Sequence, residues 1–407
     1  MSQYSSGPAE KDLKHDYEND QPALNNTPSI AGEAQVHDDV FGDITDEGPN
    51  YRAVGWIGTV ALMMKTQVGL GVLSIPAVFD VLGILPGIIC LIVIAAITTW
   101  SDYMIGVFKR NHPQIYGIDD AGFLIFGRVG REIFGIAFCL FWIFVAGSGM
   151  LGISIGLNAV SLHGTCTAVF VAVAAICGFL LASVRTLGRI SMLAWVGLVC
   201  IMTAIFTVTI AVGVQDRPAA APQEGHWKSD WKVVGNPTLG SAGHLIKRVA
   251  YGISLPGLLA TTVLVIHFAA KYVFVRLLRG TKHLSSNSAI HWGTWLACTI
   301  ITTVIAYLIA SGIPVFGGLV SLVGALLGTL MSFQLYGFMW LYDNWAKGKR
   351  DPNMKWYLMV AFSVFVIVSG TFLMIGGTYG SIVGIIDSYK ASGGSAAFSC
   401  ADNSNST

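Results

Sequence analysis

An all-α fold, a polytopic membrane helical bundle of about nine transmembrane helices, is what this 407-residue sequence predicts, and three observations predict it. Hydrophobic residues make up 54% of the chain and charged residues only 12%, too little polar surface for a water-soluble domain of this size. Apolar runs of about twenty residues, the length a ~30 Å hydrocarbon core requires, recur near 54–79, 84–108, 132–160, 166–184, 190–213, 249–270, 289–312, 315–341 and 356–379. Basic residues gather in alternate connections: fourteen lie in the second, fourth, sixth and eighth, and five in the odd ones, all within the long stretch 214–248. Long loops escape the positive-inside bias, so the even connections and the N-terminus are cytosolic and the C-terminus is outside.

Each element has its own reason. Residues 1–50 carry eleven acidic residues against Lys11 and Lys14 and few large apolar side chains, so they cannot bury enough surface to fold alone and read as a disordered cytosolic tail. A ubiquitin ligase can reach those two lysines there. This polar start contains no signal peptide, which makes the first span the insertion signal as well. The second span ends on Lys109 and Arg110. The connection after it sets Phe123, Leu124, Ile125 and Phe126 among Asp119, Asp120 and basic residues, a pattern open to a helix on the membrane surface or to a solvated loop. Arg185 and Arg189 mark the cytosolic turn between the fourth and fifth spans, and 214–248 is an extracellular loop. The last four spans complete a transmembrane domain over 51–390, followed by an extracellular tail, 391–407.

Several function classes fall away. A net charge of +1 with basic residues scattered at helix ends gives no nucleic-acid surface. The seven cysteines, an odd number without a CxxC pair, predict neither a disulfide framework nor a zinc site, and the nine histidines have no metal-ligand spacing. His267 and His291, near spans, read as packed or interfacial side chains. The stretch GISIG, Gly152 to Gly156, matches a nucleophile elbow in letters only, because that motif needs a strand, a sharp turn and a helix. Its glycine spacing instead predicts close helix packing, repeated at Gly83, Gly324 and Gly380. No base, nucleophile or metal set indicates an enzyme. The Trp and Tyr residues at span ends, such as Trp100, Tyr103, Trp345 and Trp356, read as interface belts.

The first span is not a plain anchor. Its sequence KTQVGLGVLSIP, 65–76, holds a lysine, two glycines and a proline, each of which weakens a helix in lipid. The helix is expected to open between Gly69 and Leu73 and to free backbone N–H and C=O groups near mid-membrane. Such breaks are tolerated where they line a cavity, as in the binding sites of secondary transporters. A kinked, packed helix is the competing reading.

Five stretches together resemble a known family: FGDITDEGPNYRAVGW (41–56), KTQVGLGVLSIP (65–76), HPQIYGIDDAGFLIFGRVGRE (112–132), SVRTLGRISMLAWVG (183–197) and GLVSLVGALLGTLMSF (318–333). The chain looks like a fungal neutral amino acid permease of the amino acid/auxin permease family, with a leucine-transporter-type fold. The resemblance spans about 41–390 and implies secondary active, proton-coupled import of neutral amino acids, aliphatic or aromatic, and no cofactor. It also implies a multi-pass protein of the plasma membrane, with the vacuolar membrane as the alternative. The substrate carboxylate would meet N–H groups around Gly69, Leu70, Gly71 and Val72, and the third span would line the pocket from Trp142 to Ser148. Where sodium-coupled relatives hold a cation, the Lys65 ammonium would sit, with the Val68 carbonyl and the hydroxyls of Thr261 and Thr262 as acceptors. Burial disfavours the charged form of an amine, so such a lysine can take up and release the coupling proton; a lysine snorkelling to water is the alternative.

The family's fold has more spans than this chain. VVGNPT (233–238) resembles the end of the loop before its sixth helix, and LGSAGHLIKRVAYG (239–252) the approach to its eighth. The sixth and seventh helices are thus expected to be absent between Thr238 and Leu239, leaving a truncated inverted repeat. A transport-inactive sensor or structural partner is therefore the alternative function, and a membrane-embedded enzyme a weaker one.

Overall fold

The computed structural model describes residues 36–38, 42–44, 54–69, 72, 75–185, 187–215, 243–281, 283–284, 286–313, 316–391 and 398–404. The described part is helical, apart from a short antiparallel hairpin of β1 (Val36–Asp38) and β2 (Gly42–Ile44) within the segment read as a tail. The rest of that tail, with Lys11 and Lys14, and most of the loop 214–248 lie outside the described residues.

The first expected span divides into α1 (Trp56–Gln67) and α2 (Ile75–Leu82). Then come α3 (Ile84–Asn111), α4 (Ile118–Ser161), α5 (Thr167–Ala182), α6 (Leu187–Val214), α7 (His244–Leu278), α8 (Ala289–Gly312), α9 (Phe316–Val323), α10 (Leu335–Arg350) and α11 (Met354–Ala391). Wide π turns, Gly324–Gly328 and Leu330–Gln334, join α9 to α10. Among the described residues seven helices are long and apolar enough to cross a membrane. The other two expected spans are the 16-residue apolar α5 and the divided α1–α2.

The centre is α7, packed along both α4 and α6, with α8 against α4 and α1 against α6. Small residues permit the close approaches. A Cβ on Gly147 of α4 would stand 3.0 Å from the Ala306 carbonyl of α8, and one on Gly156 would stand 2.9 Å from Leu255 of α7. The contact at Gly156 is the close packing expected of GISIG. Of the other three pairs, Gly87 also packs closely, a Cβ there standing 2.6 Å from Phe79 of α2, and a Cβ on Gly328 would lie 3.6 Å from Phe141 of α4; Gly324, Gly380 and Gly384 meet nothing within 4 Å, and Gly83, at φ 82°, makes the turn between α2 and α3. Glycine spacing alone does not say which helix face a neighbour occupies.

The connection after α3 is largely helical, not an extended solvated loop. Residues from Ile118 begin α4, which bends at Gly127 (φ 69°), and Leu124 and Ile125 pack with Phe108, Phe134 and Met339. His267 and His291 pack against Trp295 and Phe274, with ring centroids 5.1 and 4.9 Å apart.

The cysteine reading needs correction. Cys166, at the start of α5, is disulfide-bonded to Cys400, 234 residues later. Sequence spacing hides this pair because the fold, not the local chain, makes them neighbours: both stand on the side that the basic residues assign to the exterior, where disulfides persist. Around the bond the segment 398–404 crosses the ends of α4, α5 and α8. Asn158 and Asn403 share an amide hydrogen bond of 2.8 Å, Asn403 donates to Ser154 at 3.0 Å, Thr167 to the Ala401 carbonyl at 2.6 Å, and Phe398 N–H to the Ser311 carbonyl at 3.0 Å. Ser154, the would-be nucleophile, thus holds a structural contact and donates to its own helix at Leu151. Losing the cross-link by Cys400→Ser should cost about 2–5 kcal/mol and lower the detergent melting temperature by several degrees. A melting curve unchanged by the substitution and by reductant would show that the bond stabilises nothing.

Candidate functional site

The site begins where α1 ends. After Gln67 the backbone leaves the helix, Val68 being extended (φ −92°, ψ 103°), and the next described helix starts at Ile75. Val72 N–H closes a single turn on the Gly69 carbonyl at 3.2 Å, while Leu70, Gly71, Leu73 and Ser74 lie outside the described residues. The last carbonyls of α1 lack intrahelical partners, and the end of the helix carries partial negative charge.

Lys65 answers that charge. It stands in the last turn of α1 and is completely buried, and its Nζ donates to the Val68 carbonyl at 3.5 Å and to Thr261 Oγ1 of α7. Thr261 passes its own proton to the Gly257 carbonyl at 3.1 Å, which leaves its oxygen free to accept from the ammonium. The aliphatic stem needs space, and Gly197 of α6 supplies it: a Cβ there would lie 2.9 Å from Lys65 Cε and 2.6 Å from Ala260 Cβ.

Thr262 is not part of this group. Its hydroxyl donates to the Leu258 carbonyl at 2.9 Å, and its side chain packs on Gly149 of α4. Neighbours on a helix point about 100° apart, so Thr261 and Thr262 cannot both face Lys65.

Between the break, α3, α4, α7 and the π turns lies a cavity of about 540 Å³. Of the expected substrate residues, Gly69, Val72, Trp142 and Ser148 all line it, and so does Thr261. Lys65 stands behind Thr261 and reaches the cavity through that hydroxyl. Most of the wall is apolar, with Phe138, Phe141, Val145, Leu258 and Val323 among the contributors. The size suits a small ligand held by a few polar groups.

Three wall features were not anticipated. Among the described residues Asp102 of α3 is the one charged side chain lining this cavity, with Tyr336 of α10 on the same wall. A carboxylate inside an apolar run is a legible signal of function, and Asp102 follows the apolar 84–108 run almost to its end. Gly324 and Gly328 line the cavity from a π turn, a conformation frequent at functional sites. No sequence pattern announces it. Among the described residues no cluster of His, Cys, Asp or Glu could hold a metal ion.

Comparison with known proteins gives this geometry a context. The model of the family described as transmembrane amino acid transporter protein matches residues 52–246 and 232–383. A transmembrane transporter from Gibberella moniliformis is 30% identical, covering 93% of this chain and 97% of the relative. The N amino acid transport system protein of Neurospora crassa is 27% identical, covering 88% and 92%. No solved structure matches. The first alignment runs over 462 positions, more than the 407 residues of this chain, so the relative carries stretches that this chain lacks. The two family-model stretches meet at 232–246, which contains the Thr238–Leu239 junction.

Proposed function

Because the chain belongs to the transmembrane amino acid transporter family, we propose that it is a secondary active transporter importing neutral, aliphatic or aromatic amino acids together with protons. The observation that carries this reading is the buried Lys65 ammonium, held by Val68 and Thr261 beside a helix break that opens into a largely apolar cavity. The break offers backbone N–H groups to the carboxylate, the apolar wall takes the side chain, and Lys65 stands in for a coupling cation. The plasma membrane is the proposed location, with a ubiquitin ligase acting on Lys11 and Lys14. The chain is not an enzyme.

The length of the first alignment supports a second reading, in which the chain binds amino acids without moving them because a helix pair is missing. One experiment separates the two. Proteoliposomes with an inward proton gradient are loaded with the chain, or with a version carrying the relative's extra segment between Thr238 and Leu239, about two spans long. Accumulation of labelled L-leucine by the chain itself supports the first reading; accumulation only by the extended version supports the second. Uptake indifferent to the gradient, or confined to charged amino acids, would overturn the proposal in both forms.

A further inference from the structure

A second cavity, of about 450 Å³, lies between α4 and α7 at the ends that the basic residues assign to the cytosol. It shares Phe138 and Trp142 with the central cavity, so these two side chains form a common wall. Its inner end is aromatic, with Trp142 and Phe268 at 5.2 Å and Phe138 and Tyr272 at 5.3 Å between centroids. Its outer end is charged with both signs. Asp120 accepts from Arg131 at 3.5 Å, from Arg279 at 3.3 Å and from the N–H groups of Tyr116 and Gly117. Arg131 Nε lies 3.9 Å from Asp119 Oδ2.

Two nitrogens on side chains that line this cavity, Trp142 Nε1 and Arg131 Nε, are covered and have no hydrogen-bond acceptor among the described residues, while the Arg131 side chain as a whole is 35% exposed. They are eleven positions apart on α4, about three turns and so on one face, roughly 16 Å along the axis. Buried N–H groups are costly to leave unmade. A small rotation of either side chain would turn its donor to a ligand's carboxylate, and beside Arg131 the Asp119 carboxylate, 3.9 Å from Nε, offers the opposite charge that a zwitterion's ammonium needs.

We infer that this cavity is a second amino acid site, a station on the cytosolic exit path where the substrate's carboxylate moves from the Trp142 end to Arg131 and its ammonium faces Asp119. The inference rests on the transport reading above. The aromatic end receives an uncharged side chain, in keeping with a neutral substrate. An anionic lipid headgroup is disfavoured because Asp119 and Asp120 stand in its way.

The test uses two cysteine reporters in the full chain: Tyr116→Cys at the rim of this cavity, where Tyr116 is 52% exposed, and Ser332→Cys in the central cavity. The rate of modification by a charged maleimide is measured with and without L-leucine, against a parent lacking either reporter. At ligand about tenfold above its Kd, labelling at both reporters should slow about tenfold by mass action. Isovalerate and isoamylamine, which lack the ammonium and the carboxylate respectively, should protect Tyr116→Cys far less. Arg131→Lys, which keeps the charge but removes the Nε donor, should abolish protection at Tyr116→Cys and preserve it at Ser332→Cys, the latter showing that the protein is folded; Asp119→Asn should do the same. Protection at Ser332→Cys without protection at Tyr116→Cys overturns the second site alone. Protection at Tyr116→Cys by phosphatidylserine and not by L-leucine also overturns it. Protection at neither reporter removes the transport reading with it.

Discussion

Lys65→Met should reduce proton-driven accumulation of L-leucine to background while leaving exchange of L-leucine across the membrane, in whichever of the two reconstituted proteins accumulates it better. Methionine matches the length of the lysine stem, so contact with Gly197 is kept and the loss is confined to the ammonium. What disappears is the only donor from Lys65 to the Val68 carbonyl and Thr261 Oγ1. If the protonated amine holds α1 against α7, and its deprotonation lets them part, a side chain that never carries a proton uncouples the gradient from the movement. Leaving a buried carbonyl unmatched costs about 1–3 kcal/mol, so the variant should also melt earlier. Lys65→Arg should fail as well, because a guanidinium does not lose its proton in proteins and is too broad for the space beside Gly197. Accumulation with unchanged pH dependence in Lys65→Met would remove the lysine from the coupling step.

How much of this was legible in the sequence depended on distance along the chain. The end of the first helix could be read because its cause is local: glycine and proline act on the backbone that carries them, and α1 stops at Gln67 with Val68 extended, while most of the expected opening from Gly69 to Leu73 lies outside the described residues. The meeting of Gly69 with Trp142, Ser148 and Thr261 was reachable only through resemblance, since nothing in composition joins the first, third and sixth spans. Thr262 shows the limit from the other side. A hydroxyl pair in sequence looks like a pair of ligands, yet helix geometry sends the second one to Gly149. The Cys166–Cys400 bond was hidden because separation along the chain says nothing of two ends on one membrane face. Asp102 stood in plain view in an apolar run, and only the structure showed that it faces the cavity.

Asp102→Asn should weaken binding of neutral amino acids about tenfold to hundredfold. A zwitterion entering this cavity brings an ammonium that must not be left unpaired, since an uncompensated charge away from water costs several kcal/mol. In broken-helix transporters a second opened helix contributes backbone carbonyls to such sites, and the resemblance places that helix in the stretch expected to be absent between Thr238 and Leu239. Among the described residues the wall offers one carboxylate for the task, on α3, and no ion pair described involves it. Asp102 is exposed to the cavity, so part of its attraction is screened, and the loss should fall between that of a surface pair, about 1 kcal/mol or less, and that of a buried interfacial one, about 2–5 kcal/mol. Every 1.4 kcal/mol is about tenfold in Kd, which gives the stated range. The asparagine keeps the shape and one acceptor and removes only the charge, so L-leucine and isoamylamine should both lose affinity while isovalerate, which has no ammonium, should not. The measurement is displacement of labelled L-leucine from the purified chain at a salt concentration high enough to screen long-range attraction. Equal loss for isovalerate and isoamylamine would mean that Asp102 shapes the cavity instead of pairing with the substrate, and an unchanged Kd for L-leucine would assign the ammonium another partner.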